Sequence, residues 1–204
     1  MKYNKKKFIY LISPPKIERN FFKDLNEVLK QKKTSYFQLR LKKGSFKKKL
    51  IIGRKIQKIC KKFKVKFLIN DDVYLAKKLN ADGCHLGQKD MKIKEARKLI
   101  GKKIIGITCH NSIKLAKNAI ENKADYLAFG AFNSSKTKKV KYKASISFLK
   151  KARKITNTPI VAIGGINSTN YKNLLLNNAN FLAISSYIWN NKKIKPKNAV
   201  KKLI

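Results

Sequence analysis

Residues 66–86, KFLINDDVYLAKKLNADGCHL, contain one complete strand–helix–strand unit. The apolar run Lys66–Asn70 is short and ends in polar residues, as buried strands often do. A helix predicted at Val73–Leu79 is closed by the triplet Asn80-Ala81-Asp82, and a second short strand is predicted at Gly83–Leu86. A helix between two short strands is typical of parallel sheets, because parallel neighbours need a crossover connection.

Similar triplets close two later predicted helices, at Lys123-Ala124-Asp125 and Asn178-Ala179-Asn180. Each introduces an even-numbered strand, and we interpret it as structural punctuation, since a helix C-terminus needs a small residue and a turn-forming Asp or Asn. The strands predicted along the chain are 8–13, 35–41, 66–70, 83–86, 103–108, 126–129, 159–163 and 181–185. The predicted helices are 21–31, 46–63, 73–79, 93–100, 113–122, 146–155, 171–177 and 198–203.

Eight strand–helix units in 204 residues predict an α/β fold, a parallel eight-stranded (β/α)8 TIM barrel that forms a single domain over residues 1–204. A doubly wound open sheet is the alternative. It is disfavoured because no GxGxxG sequence follows the first predicted strand and no switch point in the strand order is evident.

The chain is strongly basic, with 51 Lys and Arg against 10 Asp and Glu and a formal net charge of +41. Such a charge attracts nucleic acid, anionic lipid or phosphorylated metabolites. The lysines are spread over nearly every predicted helix, whereas nucleic-acid modules usually concentrate their charge on one face. We therefore expect a general compositional drift toward lysine and no specific nucleic-acid partner. A non-catalytic polyanion-binding protein is the alternative.

Three widely spaced cysteines, Cys60, Cys84 and Cys109, form no CxxC pair. This spacing argues against a disulfide framework and favours a reducing compartment. The apolar run 8–12 is too short for a signal peptide, and no later segment approaches a membrane span. We expect a cytoplasmic protein with no membrane partner and with the possibility of a homo-oligomer.

The predicted second strand continues into a basic stretch, since residues 37–42 alternate apolar and polar side chains. The alternation places Gln38, Arg40 and Lys42 on one face, and their apolar neighbours can then pack beneath the helices. Two cations and an amide at the end of one strand suit a diphosphate, because Arg can donate two parallel hydrogen bonds. A partly solvated basic strand is the alternative interpretation.

Acidic residues crowd the region after the third and fourth strands. Asp71 ends the third strand with Asn70, and Asp90 follows the fourth. Carboxylates beside a diphosphate-binding strand indicate a hard cation, and Mg²⁺ takes one or two carboxylates with waters and phosphate oxygens. We therefore predict Asp71 and Asp90 as Mg²⁺ ligands, Asp72 as a helix N-cap and Asp82 as a turn residue. A helix cap is the alternative for Asp90.

Two further segments at predicted strand ends suit phosphate. Gly164-Gly165 follows the seventh strand and Ser185-Ser186 ends the eighth. Phosphate bound by the last two loops is a recurring feature of barrels, so the two segments together predict a monophosphate site. The loop Ser135-Lys136-Thr137-Lys138 follows the sixth strand and offers two hydroxyls and a flexible cation. A tight turn and an ordinary polar loop are the alternatives.

These segments, taken in order, strongly resemble the thiamine-phosphate synthase family. The resemblance runs from about residue 8 to residue 188, and its most specific part is the stretch from Asp82 to Asp90. The matching segments are 38–42 (QLRLK), 70–71 (ND), 81–90 (ADGCHLGQKD), 105–110 (IGITCH), 135–138 (SKTK) and 162–166 (AIGGI).

The resemblance implies a Mg²⁺-dependent (β/α)8 barrel transferase. It condenses hydroxymethylpyrimidine diphosphate with hydroxyethylthiazole phosphate, giving thiamine phosphate and diphosphate. Diphosphate departs first, and the thiazole nitrogen captures the pyrimidine cation, so charge stabilisation matters more than a general base.

The family's site residues transfer to matching positions of this chain. Asp71 and Asp90 would hold Mg²⁺. Thr108 occupies a serine position, keeps the hydroxyl and would bind substrate. The implied catalytic residues are Arg40, Lys42, Lys138 and Thr108. His85 and His110 are expected to order the pocket. The implied ligands of the pyrimidine diphosphate are Gln38, Arg40, Lys42, Asn70 and Lys138. The implied ligands of the thiazole phosphate are Ser135, Thr137, Gly165, Ser185 and Ser186.

The chain departs from the family at two places. Leu41 replaces a common acidic residue, and residues 131–134 replace a proline-containing loop, which could alter substrate ordering. The nearest rival function is a thiazole tautomerase-like barrel, which makes no use of a diphosphate. Other phosphate-binding barrels are a further alternative, although no lysine central within a predicted strand supports a Schiff-base aldolase.

Overall fold

The computed structural model describes residues 7–133 and 141–203. Its eight parallel strands close into a barrel in chain order, with β8 returning to β1. The predicted barrel is therefore confirmed, and each strand lies within two residues of its predicted bounds. The strands are β1 (Ile9–Ile12), β2 (Thr34–Leu39), β3 (Lys66–Asn70), β4 (Gly83–Leu86), β5 (Ile104–His110), β6 (Tyr126–Gly130), β7 (Ile160–Ile163) and β8 (Phe181–Ile184).

The helices surround the barrel, and two of them differ from the sequence expectation. The short α8 was not predicted, because one turn is too brief to show a periodic pattern. The last helix begins at Pro196 rather than residue 198, since proline suits the first helical position. The helices are α1 (Phe21–Leu29), α2 (Phe46–Lys62), α3 (Val73–Leu79), α4 (Ile93–Ile100), α5 (Ile113–Glu121), α6 (Ile146–Ile155), α7 (Tyr171–Leu176), α8 (Ser186–Trp189) and α9 (Pro196–Lys201).

The strands divide their side chains between two cores, because successive residues point to opposite faces. Phe37 and Leu39 belong to the large core between strands and helices. Gln38 is 2% exposed and bonds to Tyr10, which belongs to a smaller cluster inside the barrel. The alternation predicted for this strand is thus confirmed. However, β2 ends at Leu39, so Arg40 and Lys42 extend from the loop beyond it.

The repeated triplets end helices, as predicted, and they also form hydrogen bonds at the base of the barrel. The side-chain oxygen of each triplet's last residue accepts a hydrogen bond from the backbone N–H at or near the start of the preceding odd-numbered strand. The pairs are Asp82 with Phe67 at 2.8 Å, Asp125 with Ile105 at 2.7 Å, and Asn180 with Ile160 at 2.8 Å. We call these three pairs the base contacts. Each base contact gives a backbone N–H of a strand its hydrogen-bond acceptor.

A cation bonds to each of the three base-contact side chains. Lys66 donates to Asp82 at 2.9 Å, Arg97 to Asp125 at 2.8 Å, and Arg153 to Asn180 at 2.5 Å. Arg97 also donates to the carbonyls of Gly101, Lys103 and Lys123, so it ties α4 to the two loops beside β5 and β6. Such charge-assisted bonds are stronger than neutral ones and hold the base of the barrel together.

No helix among residues 7–133 and 141–203 combines the length and the apolarity needed to cross a membrane.

We expect Asp125→Ala to lower the free energy of unfolding by about 1–3 kcal/mol, because the Ile105 N–H then loses its acceptor. Asp125→Asn should cost less, since Asn180 makes the equivalent contact with an amide oxygen. Urea unfolding of the purified chain measures both effects. Glu121→Ala is the matched control, because Glu121 is an exposed carboxylate of α5. Equal losses for Asp125→Ala and Glu121→Ala would contradict the structural role of the base contacts.

Candidate active site

The inward side chains at the carboxyl ends of the strands meet at one mouth of the barrel. The interior positions of β2, β3, β4 and β5 end in Gln38, Asn70, His85 and Thr108, and Ser185 follows β8. All of these except His85 were predicted as substrate ligands, and the resemblance placed His85 in the same pocket. In a (β/α)8 barrel this is the end at which active sites form.

An ion-pair cluster lies at the rim of this mouth. The Lys42 Nζ lies 2.8 Å from the Asp71 Oδ2, and the carboxyl groups of Asp71 and Asp90 are in hydrogen-bond contact. These three residues come from the loops after β2, β3 and β4, so they are distant in sequence and adjacent in space. An exposed ion pair of this kind contributes only about 0–1 kcal/mol to stability. Its arrangement is better explained by binding than by folding.

The backbone at Asp71 directs its carboxylate into the cluster. Asp71 has φ 64°, in the left-handed region, which Asp adopts more readily than most residues. Its N–H donates to the His85 carbonyl at 2.8 Å, which fixes this turn against the end of β4. The next residue, Asp72, accepts from the Leu75 N–H at 2.9 Å. It is therefore the N-cap of α3, as the sequence predicted.

Asp90 is held by the loop after β4. Its Oδ2 accepts from the Gly87 N–H at 2.6 Å, and its own N–H donates to the Gly87 carbonyl. The N-cap of α4 is Lys92, which makes no side-chain cap bond. The alternative role of Asp90 as a helix cap is therefore wrong, and the carboxylate faces Asp71 instead.

The two carboxyl groups differ in their titration. Burial raises the pKa of Asp90, and the nearby Asp71 carboxylate adds to that rise. Burial also opposes the charge on Asp71, but the hydrogen bonds from Lys42 and Asp90 outweigh it and hold the pKa of Asp71 below its usual value. The pKa values of the two carboxyl groups are thus shifted in opposite directions, as expected for two carboxyls brought close together.

The pair suits a hard cation by its chemistry. Asp71 and Asp90 supply carboxylate oxygens, and Asn70, the last residue of β3, directly precedes Asp71. The described part of the chain holds no group of three or more His, Cys, Asp or Glu side chains that could bind a metal. Two carboxylates without further protein ligands match Mg²⁺, which fills its octahedron with waters and phosphate oxygens. They do not match a structural zinc site.

Arg40 is positioned by Ser13, a residue that the sequence analysis did not select. The Arg40 N–H donates to the Ser13 Oγ at 2.9 Å, and the Ser185 Oγ donates to the Ser13 carbonyl at 3.2 Å. Ser13 is buried and links the ends of β1, β2 and β8. The signal was available, since Ser13 is a small polar residue directly after an apolar strand. The Arg40 guanidinium lies close enough to His85 to help lower its pKa.

A continuous chain of hydrogen bonds crosses the interior below the mouth. Gln38 Nε2 donates to the Tyr10 hydroxyl at 3.1 Å, and the Tyr10 and Tyr126 hydroxyls are 2.7 Å apart. The Tyr126 hydroxyl lies 2.8 Å from His85 Nδ1, and His85 Nε2 lies 2.8 Å from the Thr108 Oγ1. Sequence reasoning missed both tyrosines, because a tyrosine in an apolar strand resembles an ordinary core residue. We call these five residues the interior chain.

The loop Gly164-Gly165, predicted to bind phosphate, also has a role in packing. Gly164 has φ 106°, and a Cβ there would lie 2.4 Å from the Ala131 Cβ. Any larger residue would displace the loop after β6. The Gly165 carbonyl accepts from Asn170 Nδ2 at 3.0 Å, which fixes the loop after β7. The loop after β8 follows at once, with Ser186 as the first residue of α8.

The predicted ligands Ser135, Thr137 and Lys138 lie outside the described residues. The segments that flank them meet at the barrel mouth. The Ala131 N–H donates to the Tyr142 carbonyl at 2.8 Å, and the Ala144 N–H donates to the Ala131 carbonyl at 2.9 Å. The Tyr142 ring also stacks on His110, with ring centroids 4.2 Å apart. His110 thus contacts the chain that returns from this loop, consistent with the ordering role implied by the resemblance.

Comparisons with known proteins identify this arrangement. The family described as thiamine monophosphate synthase matches residues 9–188. A thiamine-phosphate synthase of Pelagibacter ubique (strain HTCC1062) is 68% identical over 206 residues, with 100% of each chain covered. One of Hyphomonas neptunium is 40% identical over 189 residues, covering 89% of this chain and 86% of that protein.

A solved structure agrees. The thiamine phosphate pyrophosphorylase from Pyrococcus furiosus has a TM-score of 0.86 and 27% identity, covering 98% of this chain and 95% of that one. The resemblance found in the motifs is therefore confirmed. The chain belongs to the thiamine monophosphate synthase family and is a transferase with thiamine-phosphate synthase activity.

Proposed function

We propose that this transferase works by Mg²⁺-assisted departure of diphosphate from hydroxymethylpyrimidine diphosphate, followed by attack of hydroxyethylthiazole phosphate. The observation that carries the proposal is the cluster of Lys42, Asp71 and Asp90, which three separate loops bring together at the mouth. A thiazole tautomerase-like barrel would have no use for such a cluster, because it handles no diphosphate.

The first step breaks the bond between the pyrimidine methylene carbon and the diphosphate oxygen. The electron pair leaves with the oxygen, so negative charge grows on the diphosphate and positive charge on the carbon. Arg40, Lys42 and Lys138 are the cations that would stabilise the leaving group. Gln38, Asn70 and Thr108 would bind and orient the substrate. Asp71 and Asp90 would hold Mg²⁺, which when bound would add charge stabilisation for the departing diphosphate. Groups fixed in advance are effective here because they need no reorganisation.

The second step forms the new carbon–nitrogen bond. The thiazole nitrogen donates its lone pair to the cationic carbon, and no proton must be removed for this bond to form. Arg40, Lys42 and Lys138 would therefore act by stabilising charge and would transfer no proton. This agrees with the absence of a strongly basic group among the described residues of the interior chain, where burial lowers the pKa of His85 to about 4.

The thiazole phosphate would bind on the opposite side of the mouth. Gly165, Ser185 and Ser186 come from the loops after β7 and β8, the loops that most often hold phosphate in this fold. Ser135 and Thr137 would add hydroxyl donors from the loop after β6. The two anionic substrates would then approach each other across the interior chain.

We propose phosphorylated small molecules as the only partners, with no specific nucleic acid and no membrane. The chain has a formal net charge of +41, which would raise the local concentration of such anions. Its lysines would do this without forming a specific binding surface. A cytoplasmic location is supported by Cys60, Cys84 and Cys109, which are all buried and unpaired. Burial raises the pKa of the Cys84 and Cys109 thiols to about 12, so neither is a reactive nucleophile. A homo-oligomer is compatible with this proposal.

We expect Arg40→Ala and Asp71→Ala each to lower kcat by about 10²–10³-fold, because each removes stabilisation of the departing diphosphate. Thiamine phosphate formation from the two purified substrates measures the effect. Asp72→Asn is the matched control, since it removes a neighbouring negative charge while keeping an N-cap residue. Turnover within a few-fold of the starting protein is expected for it. Full activity of Asp71→Ala would reject the assigned metal ligand.

Removal of divalent metal with EDTA should abolish product formation, and added Mg²⁺ should restore it, because Asp71 and Asp90 are the proposed carboxylate ligands of a cation shared with the diphosphate. The same titration with Mn²⁺ compares the two metals. Calorimetry with Mg²⁺ and inorganic diphosphate should show binding to the starting protein and none to Asp71→Ala. Undiminished turnover in EDTA would show that the cations alone stabilise the leaving group.

A further inference from the structure

The interior chain has a defined direction. The Gln38 amide nitrogen can only donate, so the Tyr10 oxygen accepts from it. Among the residues that the structure describes, the acceptor left for the single Tyr10 proton is the Tyr126 oxygen, 2.7 Å away. If Tyr126 donated instead, the Tyr10 proton would be buried without an acceptor, at a cost of about 1–3 kcal/mol. Tyr10 therefore donates to Tyr126.

This direction passes on to His85. With its oxygen accepting from Tyr10, the Tyr126 hydroxyl donates to His85 Nδ1, 2.8 Å away. A ring nitrogen that accepts a hydrogen bond carries no proton, so the imidazole that accepts at Nδ1 is neutral and has one ring proton. When Nδ1 accepts, that proton lies on Nε2, which donates to the Thr108 Oγ1 at 2.8 Å. Only one tautomer satisfies every member of the interior chain.

We propose that Tyr126 and His85 are positioning residues that fix the Thr108 hydroxyl as a hydrogen-bond donor toward the substrate at the barrel mouth. The substrate atom that meets Thr108 is then a hydrogen-bond acceptor. The proposal rests on the proposed assignment of Thr108 as a substrate ligand. Thr108 is only partly buried, and the described residues offer its hydroxyl proton no other acceptor.

The packing around Tyr126 supports a fixed rather than adaptable hydroxyl. Its ring lies over Gly106, where a Cβ would come within 1.8 Å of the ring. It stacks on the His85 ring at 5.6 Å with an interplanar angle of 13°, and it meets the Tyr10 ring edge-on at 5.6 Å. The contacts with Gly106, His85 and Tyr10 restrict the Tyr126 ring to one orientation. The hydroxyl therefore points at Nδ1.

The tautomer of His85 gives a test that needs no substrate. The chain has two histidines, so protein labelled with ¹⁵N-histidine gives signals from two rings only, and a His110→Gln variant assigns them. Protonated and bare ring nitrogens resonate in separate ranges. We expect His85 to carry its proton on Nε2 at neutral pH. A proton on Nδ1 would overturn the proposal, whether or not the protein turns over its substrates.

Tyr126→Phe and Tyr10→Phe form a matched pair, because each removes one buried hydroxyl from the same interior cluster. Tyr126→Phe removes the donor to Nδ1 and should allow both tautomers of His85. Tyr10→Phe leaves that donor in place and should keep the proton on Nε2. We expect kcat/KM for the pyrimidine diphosphate to fall about tenfold in Tyr126→Phe, the loss of one hydrogen bond, and to change less than twofold in Tyr10→Phe. Equal losses would show a merely structural role and overturn the proposal.

A double-mutant cycle separates positioning from stability. In Thr108→Val the hydroxyl is already absent, so adding Tyr126→Phe should cause no further loss of kcat/KM. Thr108→Ser keeps the hydroxyl, so adding Tyr126→Phe to this variant should again lower its kcat/KM about tenfold. Losses that multiply in the double variant would overturn the proposal. Absence of any activity in the starting protein would instead reject the proposed function and leave the tautomer measurement standing.

Discussion

Closure of the eight parallel strands is the constraint on which the site depends. A closed barrel brings every strand's carboxyl end to one mouth, and the two-residue alternation decides which side chains reach it. Gln38, His85 and Thr108 point inward for this reason alone. Asp71 and Asp90, which lie beyond their strands, reach the same mouth because their loops are short and anchored by the bonds to His85 and Gly87. Closure of the barrel therefore places both the ion-pair cluster and the interior chain.

The sequence predicted the parts of the structure that local patterns encode. Short apolar runs between helices predicted the barrel, and polar residues at strand ends predicted Lys42, Asp71 and Asp90. It could not predict the interior chain, because Tyr10 and Tyr126 look like core residues until the barrel places their hydroxyls together. The sequence also assigned Asp82 only to a turn. The N–H group that donates to Asp82 belongs to Phe67 in β3, and no local pattern around Asp82 indicates this contact. Local sequence patterns therefore do not predict contacts between segments that are distant in the chain.

Four of the acidic residues of this basic chain lie at the two ends of the barrel. Of the ten, Asp71 and Asp90 form the cluster at the mouth, and Asp82 and Asp125 make base contacts. Lysines cover the outer helices, where a change of charge has little effect on folding. A drift toward lysine can therefore continue on the outside while both ends of the barrel keep their carboxylates. Because cations are in excess, few carboxylates compete with an anionic substrate for the Lys and Arg side chains.

Gly106 and Tyr126 have a consequence for how related chains can diverge. The space that Gly106 leaves empty is the space that the Tyr126 ring fills, so the two positions share one volume on neighbouring strands. A side chain at position 106 and an aromatic ring at position 126 exclude each other. Divergent relatives should accordingly replace the two residues together, and substitution of either alone should be rare among lineages that retain the histidine between β3 and β5.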